Sequence, residues 1–105
     1  MKKLSDSFRK EGFDHKVLKR EGDVVLIRKT KEAGGHYDGY EVAIVQSHQG
    51  YRFGNETFPP AEFMPRNEDW GWKGFSFTDL ERAEIKFAKL VKAANSPKKI
   101  QLKKL

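Results

Sequence analysis

The stretch Asp23-Val24-Val25-Leu26-Ile27-Arg28-Lys29-Thr30 decides the fold. Its four consecutive apolar side chains point alternately to the two sides of an extended strand, so all four are buried only if both faces are covered. Such a strand belongs at the centre of a sheet. Upstream, Phe13 to Lys19 is β-like in composition and joins this strand through Glu21-Gly22, which reads as a tight turn. A two-residue turn there sets Asp14 opposite Lys29 and His15 opposite Arg28, neutralising part of the basic stripe in place. Downstream, the loop Lys31 to Gly39, with Gly34, Gly35 and Gly39, leads into Tyr40-Glu41-Val42-Ala43-Ile44-Val45, again apolar on both faces. Three antiparallel strands result.

Further out, Gly54-Asn55 between Phe53 and Glu56 fits a hairpin turn, because both residue types tolerate positive φ, and predicts short strands near 51–53 and 56–58. Pro59-Pro60 ends them. From Pro59 to Gly74 the chain is too irregular for a regular element and too aromatic for a flexible linker, so it reads as an ordered loop pinned by its rings. Phe75-Ser76-Phe77 forms a short strand before Thr78-Asp79-Leu80-Glu81, the pattern of a capping box: the Thr78 hydroxyl accepts from the Glu81 amide and the Glu81 carboxylate from the Thr78 amide. The helix expected from Asp79 to Ala94 gathers Leu80, Ala83, Phe87, Leu90, Val91 and Ala94 within about 100°. Its acids come early and its lysines late, complementing the helix dipole, and Asn95-Ser96-Pro97 stops it. The expected architecture is α+β, an antiparallel β-meander of four to five strands with one C-terminal helix packed on one face. Residues 1–12 read as a polar N-terminal arm, either frayed or one helical turn using Leu4 and Phe8. Residues 13–95 form the domain and 96–105 a basic C-terminal tail.

At 105 residues with 37% apolar composition, the chain suits one domain with a core that needs no metal or disulfide staple. There are no cysteines, which removes thiol nucleophiles, disulfides and cysteine-ligated zinc. The opening Met1-Lys2-Lys3-Leu4-Ser5-Asp6 turns polar at once and no apolar run reaches membrane length, so a cytoplasmic setting without membrane contact is expected. The formal charge of +6 is uneven. Residues 1–31 hold ten Lys/Arg against five Asp/Glu, residues 32–94 hold seven against ten, and residues 95–105 hold four against none. Basicity therefore belongs to the two ends.

Trp70, Trp72, Phe75 and Phe77 cluster beside Phe58 and Phe63. Such rings serve either as a stacking or hot-spot surface or as a core beneath the loop. Phe75 and Phe77 share one strand face and fit the core, while Trp70 and Trp72 fit exposure. The cations Lys16, Arg20 and Arg28, with Lys98, Lys99, Lys103 and Lys104 of the tail, suit phosphate or an acidic partner. The tail also reads as a strand that adds to a sheet, or as a solvated end. His15, His36 and His48 show no metal-ligand spacing, and the glycines of the 34–39 loop lack the closing motif of a phosphate loop. No catalytic residue, metal or cofactor is expected. A ribonuclease-like enzyme would need a histidine beside Glu41 or Glu56 with a cation such as Arg52.

The order Tyr40-Glu41-Val42, His48, Gly50, Pro60 with Glu62, Pro65, Trp70-Gly71, Phe77-Thr78-Asp79-Leu80-Glu81, Ala83 and Phe87 resembles a group of small uncharacterised bacteriophage and plasmid proteins. The resemblance implies a mobile-element origin and carries no catalytic residue, ligand or partner with it. A non-enzymatic protein that binds and modulates a host protein or protein–nucleic acid complex, host defence machinery included, is the expected function. Its surface combines Trp70, Trp72 and the basic ends. Direct DNA or RNA binding through the same cations is the alternative, and a small ribonuclease-like enzyme the third.

Overall fold

Val24, Val25, Leu26 and Ile27 are all buried in the computed structural model, which describes residues 1–31 and 37–95. The elements in chain order are β1 (Ser7–Lys10), β2 (Phe13–Glu21), β3 (Val24–Lys31), β4 (Tyr37–Ile44), β5 (Gln46–His48), β6 (Tyr51–Phe53), β7 (Glu56–Phe58), β8 (Ala61–Phe63), β9 (Gly74–Phe77) and α1 (Leu80–Ala94), with a 3-10 turn at Asn67–Asp69. Five strands form one antiparallel sheet in the order β1-β2-β3-β4-β9, so β3 is its central strand and α1 packs on one face. This is the α+β meander with a C-terminal helix read from the sequence.

Its membership differs from the expectation at both margins. The segment read as an arm contains β1, whose residues Phe8 and Lys10 turn inward and whose Ser7 and Arg9 turn outward. One large apolar side chain in four residues is too weak a period-two signal to read without its partner strand. Residues 51–53 and 56–58 do form a hairpin around Gly54-Asn55, but β6 and β7 pair only with each other, and β5 pairs with β8, whose Ala61 also bridges Lys2. The side chains of β6 are exposed throughout, so nothing drives this ribbon onto the main sheet.

Two apolar clusters sandwich the sheet. On the helix face, Val24, Leu26 and Val42 meet Ala83 and Phe87, with Tyr40, Phe77, Leu90 and Val91 at the margin. On the opposite face, Val25, Ile27, Ala43, Val45 and Met64 meet Leu4, Phe8, Val17 and Trp70. The helix begins one residue later than expected. Asp79, not Thr78, is the N-cap, and its carboxylate accepts from the Glu81 amide at 3.2 Å. An aspartate cap supplies a negative charge at the positive end of the dipole, which a threonine does not. Leu80 and Ala94, expected in the buried stripe, are exposed at the two ends of α1.

The β2–β3 register also departs from expectation. Glu21 pairs with Val24, so the turn is Gly22-Asp23, and a bulge between Val17 and Lys19 shifts the ladder again. Asp14 therefore faces Thr30, and His15 faces Lys29 rather than Arg28. An inserted residue re-aims the side chains that follow it, and here it decides which polar groups meet.

Candidate functional site

The cations expected to form one surface are separated by the sheet. Lys16 is exposed and pairs across the ladder with Arg28, on the α1 face. Arg28 is held by Asp38 in a bidentate pair, with Nε at 3.0 Å and Nη2 at 2.8 Å from its two oxygens. Arg20 lies on the other side of the sheet. It clasps Glu62 through Nη1 at 2.8 Å and Nη2 at 2.9 Å, and its Nε donates to the Gly22 carbonyl. Both guanidiniums are thus occupied in holding strands together, a role invisible from a list of cations. Lys98, Lys99, Lys103 and Lys104 lie outside the described residues.

The two tryptophans also part company. Trp72 is 63% exposed, with the Lys73 ammonium 4.7 Å from its ring centre. Trp70, expected to be exposed, is half-buried against the Met64 cluster and donates from Nε1 to the Ser76 hydroxyl at 2.9 Å. Its ring lies directly over Gly74, where any Cβ would collide with the indole. The glycine makes room for the ring, and the ring closes that face of the sheet.

Beneath this loop the sheet carries a polar centre. His15 and Glu41 are both buried, with Nε2 of the imidazole 3.8 Å from one carboxylate oxygen and Lys29 Nζ 3.1 Å from the other. His15 stacks on Phe8 at 4.9 Å, and its Nδ1 donates to the Phe13 carbonyl at 3.1 Å, so in the neutral ring Nε2, on the side of Glu41, carries no proton. Burial pushes the imidazole below its ordinary pKa, against the pull of Glu41 toward the charged form. A cavity of about 130 Å³, lined by Lys10, Glu11, Asn67, Trp70 and Ser76, opens onto these groups. A histidine beside a carboxylate and a cation is the grouping an acid–base enzyme would use. The cation is Lys29, however, whereas Arg52 lies on the separate β6–β7 ribbon. Among the described residues no group of three His, Asp or Glu side chains gathers for a metal.

The more open concavity lies between the two ribbons. His48, Tyr51, Phe63 and Arg66 line a cleft of about 510 Å³. Tyr51 sits edge-on to His48 at 4.9 Å and stacks on Phe58 at 4.8 Å. The Gly50 amide donates to His48 Nδ1 at 3.1 Å, so in the neutral ring Nε2 carries the proton. Gly50 allows this bend with φ near 98°, a region closed to most side chains. The polar groups of the cleft are therefore an imidazole N–H, a phenol and a guanidinium, all able to donate.

No protein-family model, curated protein or solved structure matches this chain.

Phe53, on the strand beside this cleft, is 76% exposed, and Tyr51 is 52% exposed. Tyr51 and Phe53 lie apart in sequence from the aromatic cluster around Trp70 and Trp72, so aromatic density there does not single them out. The available signal was a hairpin whose strands have aromatic residues and no buried face. Among the described residues, no helix is long and apolar enough to cross a membrane.

Proposed function

We propose that the protein is a non-enzymatic binding module whose aromatic ribbon and adjoining cleft engage a partner protein. The observation carrying this reading is the exposure of Tyr51 and Phe53 on a two-stranded ribbon that pairs with no other strand. Exposed rings of this kind add nothing to the core, and an isolated two-stranded ribbon is marginally stable in water. Rings and arginine are also the side chains that dominate protein-binding hot spots. The cleft offers rings for an apolar anchor and donors for its acceptors. With the resemblance to bacteriophage and plasmid proteins, a host macromolecule is the proposed target, modulated by attachment in the host cytoplasm, with defence machinery among the candidates.

The test places a photo-crosslinking amino acid at position 53 and irradiates the protein in host extract, with and without nuclease. A discrete protein adduct that survives nuclease and is competed by unlabelled wild type, but not by Arg66→Glu, supports the reading. No adduct from position 53 overturns it. The second reading is single-stranded nucleic acid, favoured by the same rings beside Arg52 and Arg66, because bases stack on aromatic faces without sequence preference. It requires steeply salt-dependent binding to mixed-sequence DNA or RNA, lost with Tyr51→Ser. A ribonuclease-like activity draws support from the His15–Glu41–Lys29 grouping and requires RNA cleavage that disappears in Glu41→Gln.

A further inference from the structure

The last strand of the main sheet, β9, has one unpartnered edge, and two backbone hydrogen bonds say which groups it offers. Ile44 N–H donates to the Lys73 carbonyl at 2.9 Å, and Gly71 N–H donates to the Gly74 carbonyl at 2.7 Å. In an antiparallel ladder each residue directs both its N–H and its C=O to the same side, and successive residues alternate. Lys73, Phe75 and Phe77 therefore face β4, while Gly74 and Ser76 face outward. Trp70 and Gly71 lie parallel beside Gly74 and occupy the start of this edge. The chain thus begins a sixth strand and leaves it after one bridge. Among the described residues no strand lies beyond Ser76.

Alongside this edge, α1 presents a groove lined by Phe77, Arg82, Ile85, Lys86 and Lys89, of about 210 Å³. Ile85 is 51% exposed, and the Lys86 ammonium rests 4.1 Å from the Phe75 ring centre. One helix acid, Glu81, stands in the first turn beside Ile85, and the other acids near this groove are engaged. Glu84 turns to Lys19 of β2 at 3.3 Å, and Asp79 approaches Arg82 only at 4.0 Å while capping the helix. An apolar floor rimmed by three cations beside unpaired backbone groups is complementary to an extended chain that alternates acidic and apolar residues on one face.

The geometry points to β9 as a docking edge for an extended acidic segment of a partner protein, which pairs with Ser76 and lays an apolar side chain between Phe77 and Ile85. Its flanking carboxylates meet Arg82, Lys86 and Lys89. The chain's own tail is unsuited to this groove, because Lys98, Lys99, Lys103 and Lys104 are accompanied by no acid. A second copy would bring two cationic grooves together. This edge is separate from the aromatic cleft and stands whether or not that cleft binds.

The test titrates the full chain with the peptide Thr-Glu-Thr-Val-Thr-Glu-Thr and with its Lys-for-Glu counterpart, following backbone amide resonances. The acidic peptide should bind, weaken as salt rises, and shift and protect the Ser76 amide, while the lysine peptide should not bind. Lys89→Glu should reduce affinity roughly tenfold, as expected for loss and reversal of a complementary charge. Ser76→Pro removes the outward N–H without taking a donor from the β4 ladder, and Ser76→Ala shares its loss of the hydroxyl that accepts from Trp70, so Ser76→Pro should abolish binding at a melting temperature near that of Ser76→Ala, which binds normally. Absence of binding at low salt, equal binding of both peptides, or binding that leaves Ser76 unprotected would overturn the proposal. So would a self-associated dimer that Ser76→Pro disrupts.

Discussion

The two faces of the main sheet are covered by different chemistry. Under α1 the contacts are between Val24, Leu26, Val42, Ala83 and Phe87, and this cluster contains no ionisable side chain. On the other face an apolar cluster of similar size is bordered by Arg20–Glu62 at one end and His15–Glu41–Lys29 at the other. A helix seals its face with one amphipathic stripe. The opposite face is sealed by pieces from distant parts of the chain, and its charged groups tie those pieces down. Glu62 alone accepts from Arg20 and from the Leu4 amide at 2.9 Å, joining β8, β2 and the N-terminal segment. The packed interior of the helix face should therefore be insensitive to pH, its ion pairs Arg28–Asp38 and Lys19–Glu84 being exposed and worth little, and the other face should carry most of the pH dependence.

The largest effect is expected from Phe87→Ala, which empties the middle of the helix face. Removal of a buried phenylalanine typically costs about 3–5 kcal/mol. Denaturant titration should find that loss, and find it equal at neutral and mildly acidic pH. A pH-dependent loss would break the contrast between the faces.

Next comes Glu62→Gln, which strips the partner from a partly buried guanidinium. About 2 kcal/mol is expected at neutral pH, discounted from the usual figure for a fully buried pair because Arg20 keeps some solvent contact. The Arg20 guanidinium, the Leu4 amide and Lys3 hold the Glu62 carboxyl down, to about 2 from 4.5. A carboxylate whose pKa falls on folding stabilises the fold above its unfolded pKa, and that contribution disappears as pH drops toward the folded value. The gap between wild type and Glu62→Gln should consequently close between about pH 4.5 and about pH 2. A constant gap would show that the bridge is not the source.

Gly74→Ala should cost about 1–3 kcal/mol, the usual penalty for forcing extra volume into a packed site, because the indole of Trp70 must move. Tryptophan fluorescence should shift with it. A smaller effect is expected at His15, whose pKa is lowered chiefly by burial. The unfolded chain takes up the proton first, so stability falls as pH drops below about 6.5, and His15→Phe should flatten that slope while leaving Phe8 a ring to stack on. Smallest of all, Phe53→Ser should change the unfolding free energy by less than about 0.5 kcal/mol, as exposed substitutions usually do, while removing partner association if the ribbon is the binding surface.

Much of the scaffold is legible without coordinates. Val24 to Ile27 can only be central, Gly54-Asn55 can only turn, and the sequence from Asp79 onward carries both a cap and a 3.6-residue stripe. Each of these signals is local. Apart from the ends of α1, where Asp79 caps and Leu80 and Ala94 are exposed, the departures of the structure from these expectations are pairings. Phe8 gains meaning from His15, Arg20 from Glu62, Arg28 from Asp38, and Trp70 from Gly74. Charge and aromaticity mark a residue as able to bind, but whether it is free depends on its neighbours in space.

Taken by itself, the amino-acid order determined the strand–turn–strand succession, the buried central strand and the capped helix, because burial periodicity and turn chemistry act over a few residues. Tertiary structure alone decided which cations are free, which tryptophan is exposed, and that His15, Lys29 and Glu41 share a face. That last outcome turns on the bulge between Val17 and Lys19 and on strand partners far apart in sequence. Long-range register is set by how whole faces pack, and no short stretch of the chain encodes it.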